Sequence, residues 1–154
     1  MSTSIRPFQP SDAPPLARLS AACQRGETDF VLNPLWQTEA ELFAEFARHG
    51  IPPEEHLLVA ESGDGDVVGM VGFLRAPGAP LAGLICPVVA REERGQGTGG
   101  DLLRGALAHG EKKLGIEFAT AGIGTRNRSG YALLTAHGFR PAAVQQLQTL
   151  GEQL

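Results

Sequence analysis

The stretch Arg94-Gly95-Gln96-Gly97-Thr98-Gly99-Gly100 decides how this chain is read, because of what stands on either side of it. Before it, Leu81 to Ala90 is nearly continuous in apolar residues, the pattern of a strand buried on both faces in the middle of a sheet. After it, Leu102, Leu103, Ala106, Leu107 and Leu114 recur at helical spacing, with Arg104, Glu111, Lys112 and Lys113 on other faces and Gly115 as the stop. A strand running through glycines into a helix leaves the first-turn N–H groups pointing at open space, with the positive end of the helix dipole behind them. Such a place binds phosphate. Gly95, Gly97, Gly99 and Gly100 permit close backbone approach and positive φ, while Arg94 adds charge, the Thr98 hydroxyl adds a donor, and Gln96 sits within the same turn. The same glycines would also serve a tight turn that merely needs small residues.

Upstream, Ile5-Arg6-Pro7-Phe8 reads as a short edge strand, and Ser11-Asp12 before Pro14-Pro15 reads as the cap of a helix running to about Arg25 and stopping at Gly26. A polar turn through Glu27-Thr28-Asp29 leads past Asn33-Pro34 to Thr38-Glu39-Ala40-Glu41, a capping-box start for a second helix ending at Gly50. Phe30, Trp36, Phe43 and Phe46 are expected in the core or on a groove wall. From His56 the period changes: Leu57–Ala60 and Val67–Leu74 flank Gly63-Asp64-Gly65-Asp66, a β-hairpin. Downstream, Ile116 to Ile123 reads as a strand, Asn127 to His137 as a helix stopped by Gly138, and Phe139 with Val144 to Leu150 as closing strands. The expected order is β-α-α-β-β-β-α-β-α-β-β, a mixed α/β sheet in one domain spanning residues 1–154.

At 154 residues and 42% hydrophobic content the chain has the means for one sizeable core. The formal net charge of −4 lacks the basic footprint of a nucleic-acid partner. The charge is uneven: residues 1–90 carry five Arg against eleven acids, and residues 91–154 carry eight bases against six acids. An acidic front suits a cationic acceptor and a basic back suits a phosphorylated cofactor, although chance gives such a split too. Cys23 and Cys86 are too few and too far apart for a disulfide framework, and read as two small interior residues. His49, His56, His109 and His137 are scattered, so no metal site is expected. With neither a signal-peptide stretch nor a membrane-length apolar run in view, a cytoplasmic protein with no membrane partner is expected.

Gly95, Gly97 and Gly100 also satisfy a dinucleotide-binding spacing, with Glu117 near the distance of a ribose-binding acid. Glu117 opens its strand instead of ending it, however, and only 54 residues follow Gly100. A dinucleotide-binding oxidoreductase is the weaker alternative. The arrangement resembles the GNAT superfamily of N-acetyltransferases, whose pattern is an Arg or Gln, two residues, Gly, one residue, then Gly or Ala, between the fourth strand and third helix; here that is Arg94, Gly97 and Gly99. A second landmark of the family, an Asn opening the last helix and a Gly-Phe pair closing it, is matched by Asn127 and Gly138-Phe139. The resemblance implies a GNAT-like fold and acetyl-CoA as co-substrate. It implies that Pro87, Val88 and Val89 pair with the pantetheine arm, that the backbone of Gly95 to Gly100 takes the pyrophosphate, and that Asn127 contacts the cofactor.

Direct transfer from a thioester to a primary amine needs a neutral amine, a stabilised oxyanion, and usually a proton for the departing thiolate. The family often draws that proton from a Tyr seven residues after the Asn, where this chain has Leu134. Tyr131, the chain's one tyrosine, stands three residues earlier and is the candidate acid, with packing as its alternative role. Glu27 and Asp29 are candidates for binding a small-molecule or peptide amine, or else form a solvated loop face; Glu61 is a second such candidate, and no general base stands out. A non-catalytic acyl-CoA-binding sensor or subunit is the other reading that Leu134 allows. The last strand, Val144–Leu150, offers an edge that could pair across a homodimer.

Overall fold

The structure, a computed structural model, describes residues 3–24, 36–123 and 127–141. The predicted hairpin forms the middle of it: β2 (Leu57–Glu61) and β3 (Val67–Leu74) run antiparallel, joined by a turn in which Gly65 takes φ 88°. Three further strands complete a mixed sheet of order β1-β2-β3-β4-β5, with β1 at Ser4–Pro7, β4 at Leu81–Val89 and β5 at Phe118–Thr120. All neighbours are antiparallel except β4 and β5, which are parallel. A doubly wound dinucleotide fold needs a largely parallel sheet, and this ladder is not one.

Helix α1 (Ala13–Gln24) begins later than its expected cap. Pro10–Asp12 first makes a 3-10 turn, and the Asp12 carboxylate accepts from Gln9 N–H at 2.7 Å and from two nitrogens of Arg6. Burial pushes that carboxyl up, but the Arg6 guanidinium and the Gln9 amide outweigh it and hold Asp12 below the usual carboxylate range. Helix α2 (Glu39–His49) has the predicted signals at both ends: Thr38 Oγ1 accepts from Glu41 N–H at 3.1 Å, and Gly50 closes it at φ 70°. Trp36 and Phe46 are core residues, whereas Phe43 is partly exposed and meets Phe8 edge-on. A one-turn helix unforeseen in the sequence, α3 (Pro53–His56), leads directly into β2. Its signal was present as Pro at N1 followed by Glu54 and Glu55.

Helix α4 (Thr98–His109) follows the glycine turn and continues as a π-helical stretch, Gly110–Leu114, that ends at Gly115 as expected. It covers one face of the sheet, where Leu102 lies against Gly69; adjacent Val68 points to the other face, toward α1. Helix α5 (Arg128–Ala136) matches its predicted span. Two expectations about strands are corrected. The strand buried along its whole middle is β3, not β4, since the second half of β4 is half-exposed once β5 has left it. And β5 is three residues instead of eight, because the ladder with β4 begins only at Phe118, after Glu117 N–H bonds the Pro80 carbonyl, and stops after Thr120. The closing strands expected at Val144–Leu150, the edge proposed for a homodimer, and the helix end at Arg25-Gly26 lie outside the described residues. No described helix is long and apolar enough to cross a membrane.

The tightest strand approach is at Gly72, opposite Leu57, where a Cβ would stand 2.4 Å from the His56 carbonyl oxygen. Backbone cannot yield there as a flexible side chain would, so Gly72→Ala is expected to cost about 1–3 kcal/mol, read as a lower urea midpoint at unchanged m. A midpoint equal to the parent's would show that β2 and β3 can separate without loss.

Candidate active site

The site is built around the second half of β4. Ile85 faces Gly72 and Val88 faces Met70, so Cys86 and Pro87 together oppose the single residue Val71. That is a β-bulge, and Pro87 inside a strand was its sequence signal. Beyond it, Ala90 N–H donates to the Val68 carbonyl at 2.8 Å, which fixes the alternation of the strand. Val88 turns its polar groups to β3; the Pro87 carbonyl and the Val89 N–H and carbonyl turn the other way. On that side β5 pairs only Leu81 to Gly83 before parting, with Cys86 Sγ 3.8 Å from the Gly122 carbonyl across the gap. Among the described residues no strand pairs Pro87 to Val89 on that side, which offers one acceptor and one donor two residues apart.

This edge runs into the glycine turn. Gly95 and Gly97 have φ of 79° and 87°, and a Cβ on either would meet nothing within 4 Å. Gly97 is the N-cap of α4, whose first intrahelical bond runs from Asp101 N–H to the Gly97 carbonyl at 3.0 Å. The earlier amides therefore have no helix carbonyl to bond and open on the surface beside Gln96 and Gly97. Two side chains of the turn stand apart from it in their surroundings. Thr98, the first residue of α4, is buried. Arg94 folds back: its Nε donates to the Val89 carbonyl at 3.0 Å and its Nη2 lies 3.7 Å from Cys23 Sγ.

Helix α5 approaches the same place, with Leu133 near Gly99. Asn127 Oδ1 accepts from Gly130 N–H at 2.8 Å and from the Ser129 hydroxyl, so that the oxygen caps its own helix; Gly130 has no Cβ to obstruct it. At the other end Gly138, φ 90°, and the bond from Phe139 N–H to the Leu134 carbonyl at 3.0 Å close the helix in a Schellman turn. The two sequence landmarks are thus the two caps of α5. Leu134 is 7% exposed and part of the core, whereas Tyr131 is 51% exposed on the same helix.

A model of the acetyltransferase (GNAT) family matches residues 22–139 of the chain. The chain belongs to that family. No curated protein sequence matches it. Among solved structures it is similar to the ribosomal-protein-alanine N-acetyltransferase from Brucella melitensis, at 24% identity over 91% of this chain and 86% of that one, TM-score 0.70. A GNAT superfamily phosphinothricin acetyltransferase from Sinorhizobium meliloti, in complex with AcCoA, matches at 22% identity over 93% and 77%, TM-score 0.70. The diaminobutyrate acetyltransferase from Paenibacillus lautus, in complex with L-2,4-diaminobutyric acid and coenzyme A, matches at 19% identity over 88% and 74%, TM-score 0.65. At these identities the likeness is one of fold. As a GNAT protein the chain joins its bulged fourth strand, parted fifth strand and glycine turn in one continuous surface.

Glu27 and Asp29 lie outside the described residues. Glu61 accepts from Arg6 Nε at 2.8 Å between β1 and β2. The described residues contain no group of His, Cys, Asp and Glu fit to hold a metal. A cleft of about 990 Å³ flanks the turn on the α1 side, lined among others by Arg18, Asp64, Asp66, Arg91 and Gln96.

Proposed function

We propose that this protein transfers the acetyl group of acetyl-CoA directly to a primary amine. The observation that carries the reading is the parting of β5 from β4 after Gly83, which leaves Pro87 to Val89 without a strand neighbour among the described residues, just before a glycine turn and a helix N-terminus. The residues present fit the co-substrate. The Pro87 carbonyl and Val89 N–H can receive the amides of a pantetheine arm as an added strand, with Val88 between them. The backbone of Gly95 to Gly100 can take the pyrophosphate, with Asn127 holding the adjacent helix N-terminus in place. Acetyl-CoA supplies the thioester carbonyl and a thiolate leaving group whose pKa, about 8.5, makes a dedicated acid an aid and not a necessity.

Tyr131 is the phenol on α5 assigned to donate a proton to the departing sulfur. Glu27 and Asp29, with the acidic balance of the first 90 residues, are assigned to draw in the cationic amine. Thiol release measured over a panel of amines (peptide N-termini, lysine, polyamines, aminoglycosides, amino acids) tests transfer; calorimetric titration with acetyl-CoA, CoA and NADH tests the cofactor. Tight NADH binding with no response to CoA would sink the reading. A second reading, an acyl-CoA-binding sensor, is favoured by the burial of Leu134 where the family's acid commonly stands. CoA binding with silence across the whole panel would support it.

Tyr131→Phe is expected to lower kcat about 100-fold with KM for acetyl-CoA within twofold. Unchanged turnover would remove Tyr131 as the acid.

A further inference from the structure

Two arginines of the segment that follows β4 reach back to the last turn of α1. Arg91 Nη2 donates to the Ala22 carbonyl at 3.2 Å, placing a cation on the negative end of that helix. Arg94 Nη2 lies 3.7 Å from Cys23 Sγ, and Cys23 Sγ is 4.0 Å from the Val89 carbonyl that Arg94 Nε also bonds. Between them the chain makes a 3-10 turn closed by Glu93 N–H on the Ala90 carbonyl at 2.9 Å. Cys23, Arg91 and Arg94 therefore fasten α1, the end of β4 and the entry to the glycine turn to one another.

We infer that Arg91 is a positioning residue for the cofactor, holding the glycine turn in its binding shape by anchoring it to α1, so that cofactor binding and the order of α1's last turn are thermodynamically coupled. The inference rests on the acetyl-CoA reading above and adds a residue outside the family's pattern. Preorganising a loop raises affinity by removing the cost of ordering it on binding. Linkage then requires the reverse effect: a ligand seated on the turn steadies α1 by the same factor.

CoA itself is the probe, so no acceptor need be known. In the unaltered protein CoA is expected to slow amide hydrogen exchange at Ser20–Gln24 about tenfold. Arg91→Met is expected to weaken CoA binding about tenfold by calorimetry and to abolish that protection, with Arg91→Lys recovering part of both. A role confined to global stability would lower Tm without moving the CoA-dependent protection. Cys23→Ala, which removes the sulfur's contacts with Arg94 and the Val89 carbonyl, is expected to move both readouts in the same direction at smaller size and keeps the test open if Arg91→Met fails to fold. Protection that persists in Arg91→Met, or CoA binding that leaves α1 unaffected in the unaltered protein, would overturn the coupling. Failure to bind CoA at all would overturn the cofactor reading with it, whereas failure to acetylate any amine would touch only the catalytic one.

Discussion

Gly97→Val is expected to raise the Kd for CoA about a hundredfold, while Gly99→Ala binds within about threefold of the parent. The two glycines differ in what they do. Gly97 caps α4 at φ 87°, a conformation in which a β-branched residue is strained by about 1–3 kcal/mol, so the substitution pulls the turn away from its binding shape. Beyond its chain neighbours its Cβ would meet nothing within 4 Å, so the added bulk stands in open space at the turn, where the proposed pyrophosphate would have to approach. Strain and obstruction both fall on the ligand. Gly99 has ordinary helical φ, and its Cβ would make only normal contacts, 3.7 Å to Leu133 and 3.9 Å to Val89. Calorimetric titration of both variants decides the matter, and a Gly97→Val protein binding CoA within tenfold of the parent would refute the assignment of this turn to pyrophosphate.

The features readable in the sequence were those whose cause is local. Gly97, Gly50, Gly115 and Gly138 all have positive φ, a demand that a single residue advertises. Thr38 and Asn127 are side chains that cap their own helices, within three residues of their targets. What could not be read depends on partners distant in the chain. Arg94 carries a charge suited to phosphate, and its guanidinium also bonds the Val89 carbonyl and contacts Cys23, 71 residues away. Thr98, read as a donor at a helix start, is buried, which depends on the sheet that α4 packs against. The length of β5 was overestimated because apolar character continues to Ile123 after the pairing has stopped, and it is the stop, not the strand, that opens the edge of β4.

His56 shows the same limit and supplies the largest expected effect on stability. As one of four scattered histidines it suggested nothing; in the structure it is buried beside Arg75, 19 residues away, whose Nε–H donates to His56 Nε2 at 3.0 Å. His56 Nδ1 lies 3.0 Å from the Pro52 carbonyl, so the ring is neutral with its proton on Nδ1. Arg75 Nη1 also donates to the carbonyls of Ala79 and Leu114, at 2.8 and 2.9 Å, tying α3, the β3–β4 connection and the end of the π-helical stretch together. Arg75→Leu removes three hydrogen bonds from a charged donor and leaves one buried and two half-buried acceptors without it, at a cost of about 3 kcal/mol, or about 6–12 °C in Tm. A loss under about 1 kcal/mol would mean that the carbonyls find other partners. Burial, then the charges of Arg75 and His109, lower the pKa of His56 against the opposing pull of Pro52 and Glu55. The unfolded ring titrates near pH 6.5, so the stability that comes from keeping His56 neutral is complete above that pH and is lost as pH falls through the lower folded value. The slope can reach at most about 1.4 kcal/mol per pH unit for this one proton. Urea midpoints measured from pH 7.5 to 5 should fall in the parent and lose that part of their slope in His56→Gln, whose amide oxygen can still accept from Arg75; an unchanged slope would place the pH dependence elsewhere.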